Sequence, residues 1–229
     1  MTILSDLLNL FFPQLCVHCG KRLVEAEKYL CISCIGKLPR TRYCEITENK
    51  LEEFFAGRFP YCRIASFCYY VKGGIMPSVI HSLKYQNNPE IGFFLGSLCG
   101  QEMSGSAFLK GIDKIIPIPL HPLRERKRGY NQALKIAEGV SSRVNIPVDD
   151  KIIARVVNND SQTRHSKFER WDNSSEIFRV TRPKQLENKH ILLLDDVITT
   201  GSTIESCVKT ILSACKNVKI SIYGIASVN

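Results

Sequence analysis

A chain of 229 residues with 44% hydrophobic content can bury a substantial core in one or two domains. Its net charge of +9 favours anionic partners, a demand that phosphate ligands and nucleic acid meet equally well. Ten cysteines without a recognisable secretion signal point to reduced thiols and metal ligation rather than disulfides, and so to a cytoplasmic protein.

Residues 1–15 lack a basic n-region, and Asp6, Asn9 and Pro13 interrupt their apolar character. Neither a signal peptide nor a membrane span is expected there. Leu4, Leu7, Leu8 and Phe11 fall on one helical face, which predicts a short docking helix. Two C-x-x-C pairs follow, Cys16/Cys19 and Cys31/Cys34, separated by eleven residues. Each pair forms a tight knuckle, and two knuckles joined by a hairpin place four thiolates around a tetrahedral Zn²⁺, as in a zinc ribbon. A closed four-thiolate site is structural, with no open position for chemistry. Residues 35–62 show little pattern and read as a connector or the remaining layer of the zinc module. Cys44 and Cys62 have no partner at C-x-x-C spacing, so a second complete metal site is not expected.

Residues 65–71 (ASFCYYV) read as an edge strand, and Gly73-Gly74 breaks it. Ile75, Val79, Ile80 and Leu83 then mark a helix whose end carries Lys84, a cation well placed for the helix dipole. A second apolar helix covers 91–103. The strand at 112–120 ends in Pro119, Leu120 and His121, followed by Arg124, Arg126, Lys127 and Arg128. A strand running into a Pro-rigid turn with clustered cations suits a second anion such as pyrophosphate, although a solvated charge run or a nucleic-acid patch has the same composition. A helix over 133–140 completes a β-turn-α unit. Residues 155–178 form a long polar segment carrying Arg155, Arg164, His165, Lys167 and Arg170 between two strand-like runs. A basic loop of this kind suits a lid over pyrophosphate.

The chain is organised around 191–203, ILLLDDVITTGST. Four consecutive apolar residues are too hydrophobic for a strand with one wet face, so they predict a central parallel strand. The adjacent carboxylates Asp195 and Asp196 follow, then Thr199, Thr200, Gly201, Ser202 and Thr203. Apolar residues recur with helical period from Ile204, and Ser202 with Glu205 has the spacing of a capping box. The first turn of a helix offers unpaired N–H groups to an anion, and Gly201 permits close backbone approach. Two carboxylates beside that cradle accept hydrogen bonds from a diol and attract a divalent cation. The combination suits a ribose 5-phosphate. No G-x-x-x-x-G-K-[ST] loop exists to make it a nucleotide triphosphate site.

LLLDDVITTGST resembles the 5-phosphoribosyl 1-pyrophosphate (PRPP) motif of type I phosphoribosyltransferases. That resemblance implies that Asp195 and Asp196 meet the ribose hydroxyls, that residues 199–203 hold the 5-phosphate, and that Mg²⁺ accompanies PRPP. PIPLHPLRERKRGYNQ, with Tyr130 in place of the usual Phe, resembles the signature of the ComF competence-protein family. The run from Arg155 through Gln162, Arg170 and Asn173 to Phe178, the LKY at 83–85 and the paired cysteines resemble the same family. The resemblance implies a pyrophosphate site and lid using Pro119, Leu120, His121, Arg124, Arg128, Arg164 and Arg170. It also implies a place in DNA uptake, with incoming single-stranded DNA and competence-machinery proteins as partners.

The expected architecture is a zinc-ribbon module over 1–62 followed by a type I phosphoribosyltransferase-like α/β domain over 63–229, its mostly parallel sheet flanked by helices. Because the last strand falls at 218–225, any acceptor pocket is expected to come from residues before Ile112. Two roles stay open. One is a DNA-handling protein of natural transformation that keeps a PRPP site, with or without transferase activity. The other is a phosphoribosyltransferase of nucleotide or amine metabolism with no part in DNA handling.

Overall fold

The computed structural model describes residues 13–157 and 177–228. The helix expected around Leu4–Phe11, and Arg164 and Arg170 of the basic segment, lie outside them. Short helices α1 (Ile32–Gly36) and α2 (Lys50–Phe55) precede strand β1 (Ile64–Tyr69) and helices α3 (Ile75–Tyr85) and α4 (Pro89–Met103). Then come β2 (Lys114–Pro117), α5 (Pro122–Arg128), α6 (Gln132–Val144) and the strands β3 (Ile153–Arg155) and β4 (Phe178–Val180). Strand β5 (His190–Ile198), helix α7 (Ser202–Ala214) and strand β6 (Lys219–Ser227) complete the order.

The main sheet has the order β1-β6-β5-β2, and every pairing in it is parallel. β5 is interior, as its apolar run requires: Ile191, Leu192, Leu193 and Leu194 are fully buried between β2 and β6. β3 and β4 form a separate antiparallel pair beside α7. In parallel sheets the carboxyl ends of the strands form the ligand edge, and here the ends of β2 and β5 lie side by side, with Pro117 opposite Leu194.

What holds that edge in place is the packing of α4 on α6 beneath it. Gly92, Gly96 and Gly100 recur every fourth residue and line one face of α4. A Cβ at Gly96 would lie 2.0 Å from the Ile136 carbonyl oxygen, and one at Gly139 would lie 2.1 Å from that of Phe93. The two backbones touch, and α6 in turn packs on β2 and β5.

Three local expectations are corrected. Residues 122–128 fold as helix α5, led by Pro122 at its first turn, so the cations project from a helix and not from a turn. Residues 35–62 are more than a connector: they contain α2, closed by a capping box in which Asn49 accepts from the Leu51 and Glu52 N–H groups and Glu52 accepts from the Asn49 N–H. The box expected at Ser202 and Glu205 does not form. The N-cap of α7 is Gly201, at φ 72° and without a side-chain cap.

Candidate functional site

Strand β5 runs on through both carboxylates to Ile198, which presents Asp195 and Asp196 at the ligand edge. Each turns one oxygen onto the backbone: the Asp196 N–H donates to Asp195 Oδ1 at 2.8 Å, and the Val197 N–H to Asp196 Oδ1 at 2.7 Å. Asp196 Oδ2 pairs with Lys84 Nζ at 2.8 Å, so the last turn of α3 delivers its cation into the site instead of to solvent. Burial, and then the charge of Asp196, push Asp195 up to about 7, against the pull of the Asp196 N–H, Lys84 and Arg155. One carboxylate is therefore paired with a lysine while burial and that neighbour raise the other.

The end of β2 and the starts of α5 and α6 supply the facing wall. Ile118, Pro119, Leu120, Arg124, Arg128, Asn131, Gln132 and Arg155 enclose, with Lys84, Asp195, Asp196 and Thr203, a pocket of about 150 Å³. Asn131 caps α6 through the Ala133 N–H and donates to the Ile118 carbonyl, tying strand end to helix start. Arg128 is aimed by a 2.8 Å bond to Gln132. His121 caps α5, its Nδ1 accepting from the Leu123 N–H, and is not among the residues lining the pocket. On the outer side Arg126 and Lys127, with Lys84, Tyr85, Arg124 and Arg128, line a wider cleft of about 830 Å³.

After Ile198 come the exposed Thr199 and Thr200, the buried Gly201, the exposed Ser202 and the half-buried Thr203, the member of this run that reaches the pocket. Thr200 Oγ1 meets Ser202 Oγ at 3.2 Å. The N–H groups that a Ser202–Glu205 box would have engaged have other partners: that of Ser202 lies 3.5 Å from Thr200 Oγ1, and that of Glu205 donates to the Gly201 carbonyl at 2.9 Å. Glu205 points elsewhere. Its Oε2 accepts from Arg58 Nε at 3.0 Å and Nη2 at 2.6 Å, and its Oε1 from Lys209 at 2.7 Å. Lys209 and Arg58 hold it below the usual carboxylate range. Arg58 and the fully buried Phe55, which lies against Gly201, come from a stretch with no pattern pointing to the site.

The acidic pair fits a divalent cation carried by a ligand. Two carboxylates with three of their four oxygens already engaged by Lys84 and backbone N–H groups do not make a cage, and among the described residues only the cysteines form a group of three or more ligands. The Sγ atoms of Cys16, Cys19, Cys31 and Cys34 lie within 4.8 Å of one another, and those of Cys19 and Cys31 are 3.7 Å apart. Zn–S bonds of about 2.3 Å put tetrahedral sulfurs about 3.8 Å apart, so the cluster can hold such an ion. Cys16 and Cys19 sit in a turn closed by the Leu15–Arg22 bridge, while Cys34 lies within α1 and Cys31 caps it. Burial opposes ionisation of Cys16, but the N–H groups of Cys19, Cys31 and His18 outweigh it and bring the thiol down to about 6. Cys44 is buried and Cys62 exposed, and neither joins the cluster.

Residues 130–226, which carry both the acidic pair and residues 199–203, match the family model of the phosphoribosyl transferase domain. Competence protein F of Haemophilus influenzae is 28% identical over 228 residues, covering 94% of this chain and 98% of that protein. Competence protein ComFC of Bacillus subtilis is 26% identical over 220 residues, covering 93% and 83%. Over nearly its whole length the chain is similar to ComF-type competence proteins. A DNA utilization protein of Escherichia coli K12, YhgH, is 29% identical over 137 residues, 58% of this chain and 60% of that protein. The parallel sheet and its helices are phosphoribosyltransferase-like, as the DD-TTGST motif implied. Tyr130, the departure from the family signature, donates its hydroxyl to the Leu83 carbonyl, beside Lys84.

Proposed function

We propose that the protein binds PRPP, or another ligand carrying ribose 5-phosphate, at the carboxyl ends of β2 and β5, and that it serves natural transformation by handling incoming single-stranded DNA in the cytoplasm. The observation that carries the ligand reading is the convergence of Asp195, Asp196, Arg124, Arg128 and Thr203 on one small pocket. Asp195 and Asp196 accept from the ribose hydroxyls, residues 199–203 hold the 5-phosphate, and Arg124 and Arg128 face the pyrophosphate. A Mg²⁺ ion bound together with the pyrophosphate would neutralise part of its charge. The four-cysteine cluster holds a structural Zn²⁺, and residues 1–62 form the module built on it.

The DNA reading draws support from the names of the relatives and from the outer cleft. Arg126 and Lys127 add cations there that the ribose pocket does not use, and Tyr85, 67% exposed, offers a ring for a base with Arg128 at 5.9 Å from its centroid. Each phosphate contact on a single strand contributes roughly 0.7 to the slope of log affinity against log salt. Arg126→Ala/Lys127→Ala should therefore lower that slope by about 1.4 and leave PRPP affinity unchanged. An unaltered slope would remove the cleft from DNA binding.

A second reading, transfer of the phosphoribosyl group, is favoured by Asp195. In that step the bond from C1 to pyrophosphate breaks, Arg124 and Arg128 stabilise the departing charge, and the acceptor's lone pair closes on C1. A carboxylate poised near 7 can take the acceptor's proton. Pyrophosphate release from PRPP in the presence of a base or amine, lost in Asp195→Asn, tests it. Wild-type protein that binds PRPP but releases no pyrophosphate with any acceptor would restrict the site to ligand sensing.

A further inference from the structure

We propose that Arg58 is a positioning residue for the 5-phosphate loop, acting by holding the Thr200–Gly201 peptide in one orientation and by keeping the Glu205 carboxylate away from the anion. This rests on the PRPP-type reading of the site and extends it to residues before β1, outside the segment matched by the transferase domain.

The guanidinium makes three bonds. Nε and Nη2 donate to Glu205 Oε2, and Nη2 also donates to the Thr200 carbonyl at 3.1 Å. Its plane is further confined by two rings, with Cζ 5.1 Å from the centroid of Phe54 and 4.8 Å from that of Phe55. A planar fork held on both edges and stacked on aromatics loses little further freedom when it orders a loop.

Among the described residues no peptide is cis, so the Thr200 carbonyl and the Gly201 N–H point to opposite sides of their shared plane. Fixing the carbonyl on Arg58 therefore fixes the N–H away from Arg58, on the side where a ligand meets the loop. The Phe55 ring closes the back: a Cβ on Gly201 would lie 2.3 Å from Phe55 Cζ. Residues 50–58 thus hold the loop from behind.

Glu205 is the acidic residue of the first turn of α7. At capping-box spacing from Ser202 its natural alternative is to fold back over the helix start, where its charge would occupy or repel the place of a phosphate. Arg58, with Lys209 on the other oxygen, draws it sideways.

The test compares wild type, Arg58→Gln, and Arg58→Gln/Glu205→Gln in the full chain, titrating PRPP, ribose 5-phosphate and pyrophosphate separately with Mg²⁺. Arg58→Gln should weaken the two 5-phosphate ligands at least tenfold and leave pyrophosphate unchanged. The second substitution should restore part of the loss, the share due to the freed Glu205 charge, which a merely structural defect would not allow. Equal loss of all three ligands without restoration, or no loss at all, overturns the proposal. If wild type binds neither 5-phosphate ligand, the ligand reading has failed, and amide exchange decides the brace independently. Residues 199–204 should then exchange faster in Arg58→Gln than in wild type, and equal rates would overturn it.

Discussion

Lys84 Nζ stands 2.8 Å from Asp196 Oδ2, and the pair joins the last turn of α3 to the end of β5 across the ligand edge. Both side chains are largely shielded, at 21% and 15% exposure, so solvent screens the pair only in part. Lys84 also pulls against the forces that raise Asp195. Replacing it by methionine leaves two adjacent carboxylates without their nearest cation. Lys84→Met should weaken Mg·PRPP binding at least tenfold, about 1.4 kcal/mol, and move the pH midpoint of binding upward. Calorimetric titration between pH 6 and 8.5 measures both.

Asp195 makes the site pH-dependent with a definite sign. Its carboxyl is raised to about 7 in the fold, so the folded chain binds that proton more tightly than the unfolded chain does. The contribution to stability is present below the ordinary carboxylate value and is lost as pH rises through about 7. Ligand binding runs the other way, because ribose hydroxyls and a divalent cation need the anion. PRPP affinity should rise from pH 6 to 8. Asp195→Asn should remove this group's share of the loss in stability between pH 4 and 7, read as the difference between the two proteins in thermal midpoint against pH.

The contact between α4 and α6 sets the position of Asn131 and Gln132 at the start of α6. A methyl group at Gly96 would sit 2.0 Å from the Ile136 carbonyl oxygen, which forces the two helices apart. Gly96→Ala should cost about 3 kcal/mol, and urea denaturation would show it as a lower midpoint. An unchanged midpoint would mean that the helices separate without penalty.

The cysteine cluster should hold one zinc ion per chain, measured by elemental analysis of purified protein. Cys19→Ser or Cys34→Ser should lose it and destabilise the chain. Cys62→Ser should retain it, since that residue lies outside the cluster.

How much of this was legible in the sequence differs from element to element. The interior strand, the turn at 199–203 that leads into α7 and the paired cysteines were readable because each is local: an apolar run, a turn composition, a fixed spacing. Lys84 was not, because a lysine at a helix end has the same sequence appearance whether it meets solvent or Asp196. Asn49 with Glu52, and Ser202 with Glu205, show the same capping spacing, yet only the first closes. In the second, Arg58 takes the carboxylate from 147 residues away, and no local signal carries that distance. Tyr130 likewise gains its meaning from the Leu83 carbonyl across the fold.

The most direct measurement is calorimetric titration of PRPP with Mg²⁺ into the wild-type chain and into Asp195→Asn/Asp196→Asn. The wild type should bind one equivalent, and the double variant, still folded by circular dichroism, should bind none. A folded wild type that binds no PRPP would contradict the ribose-phosphate reading and leave single-stranded DNA at the cationic cleft as the function to pursue.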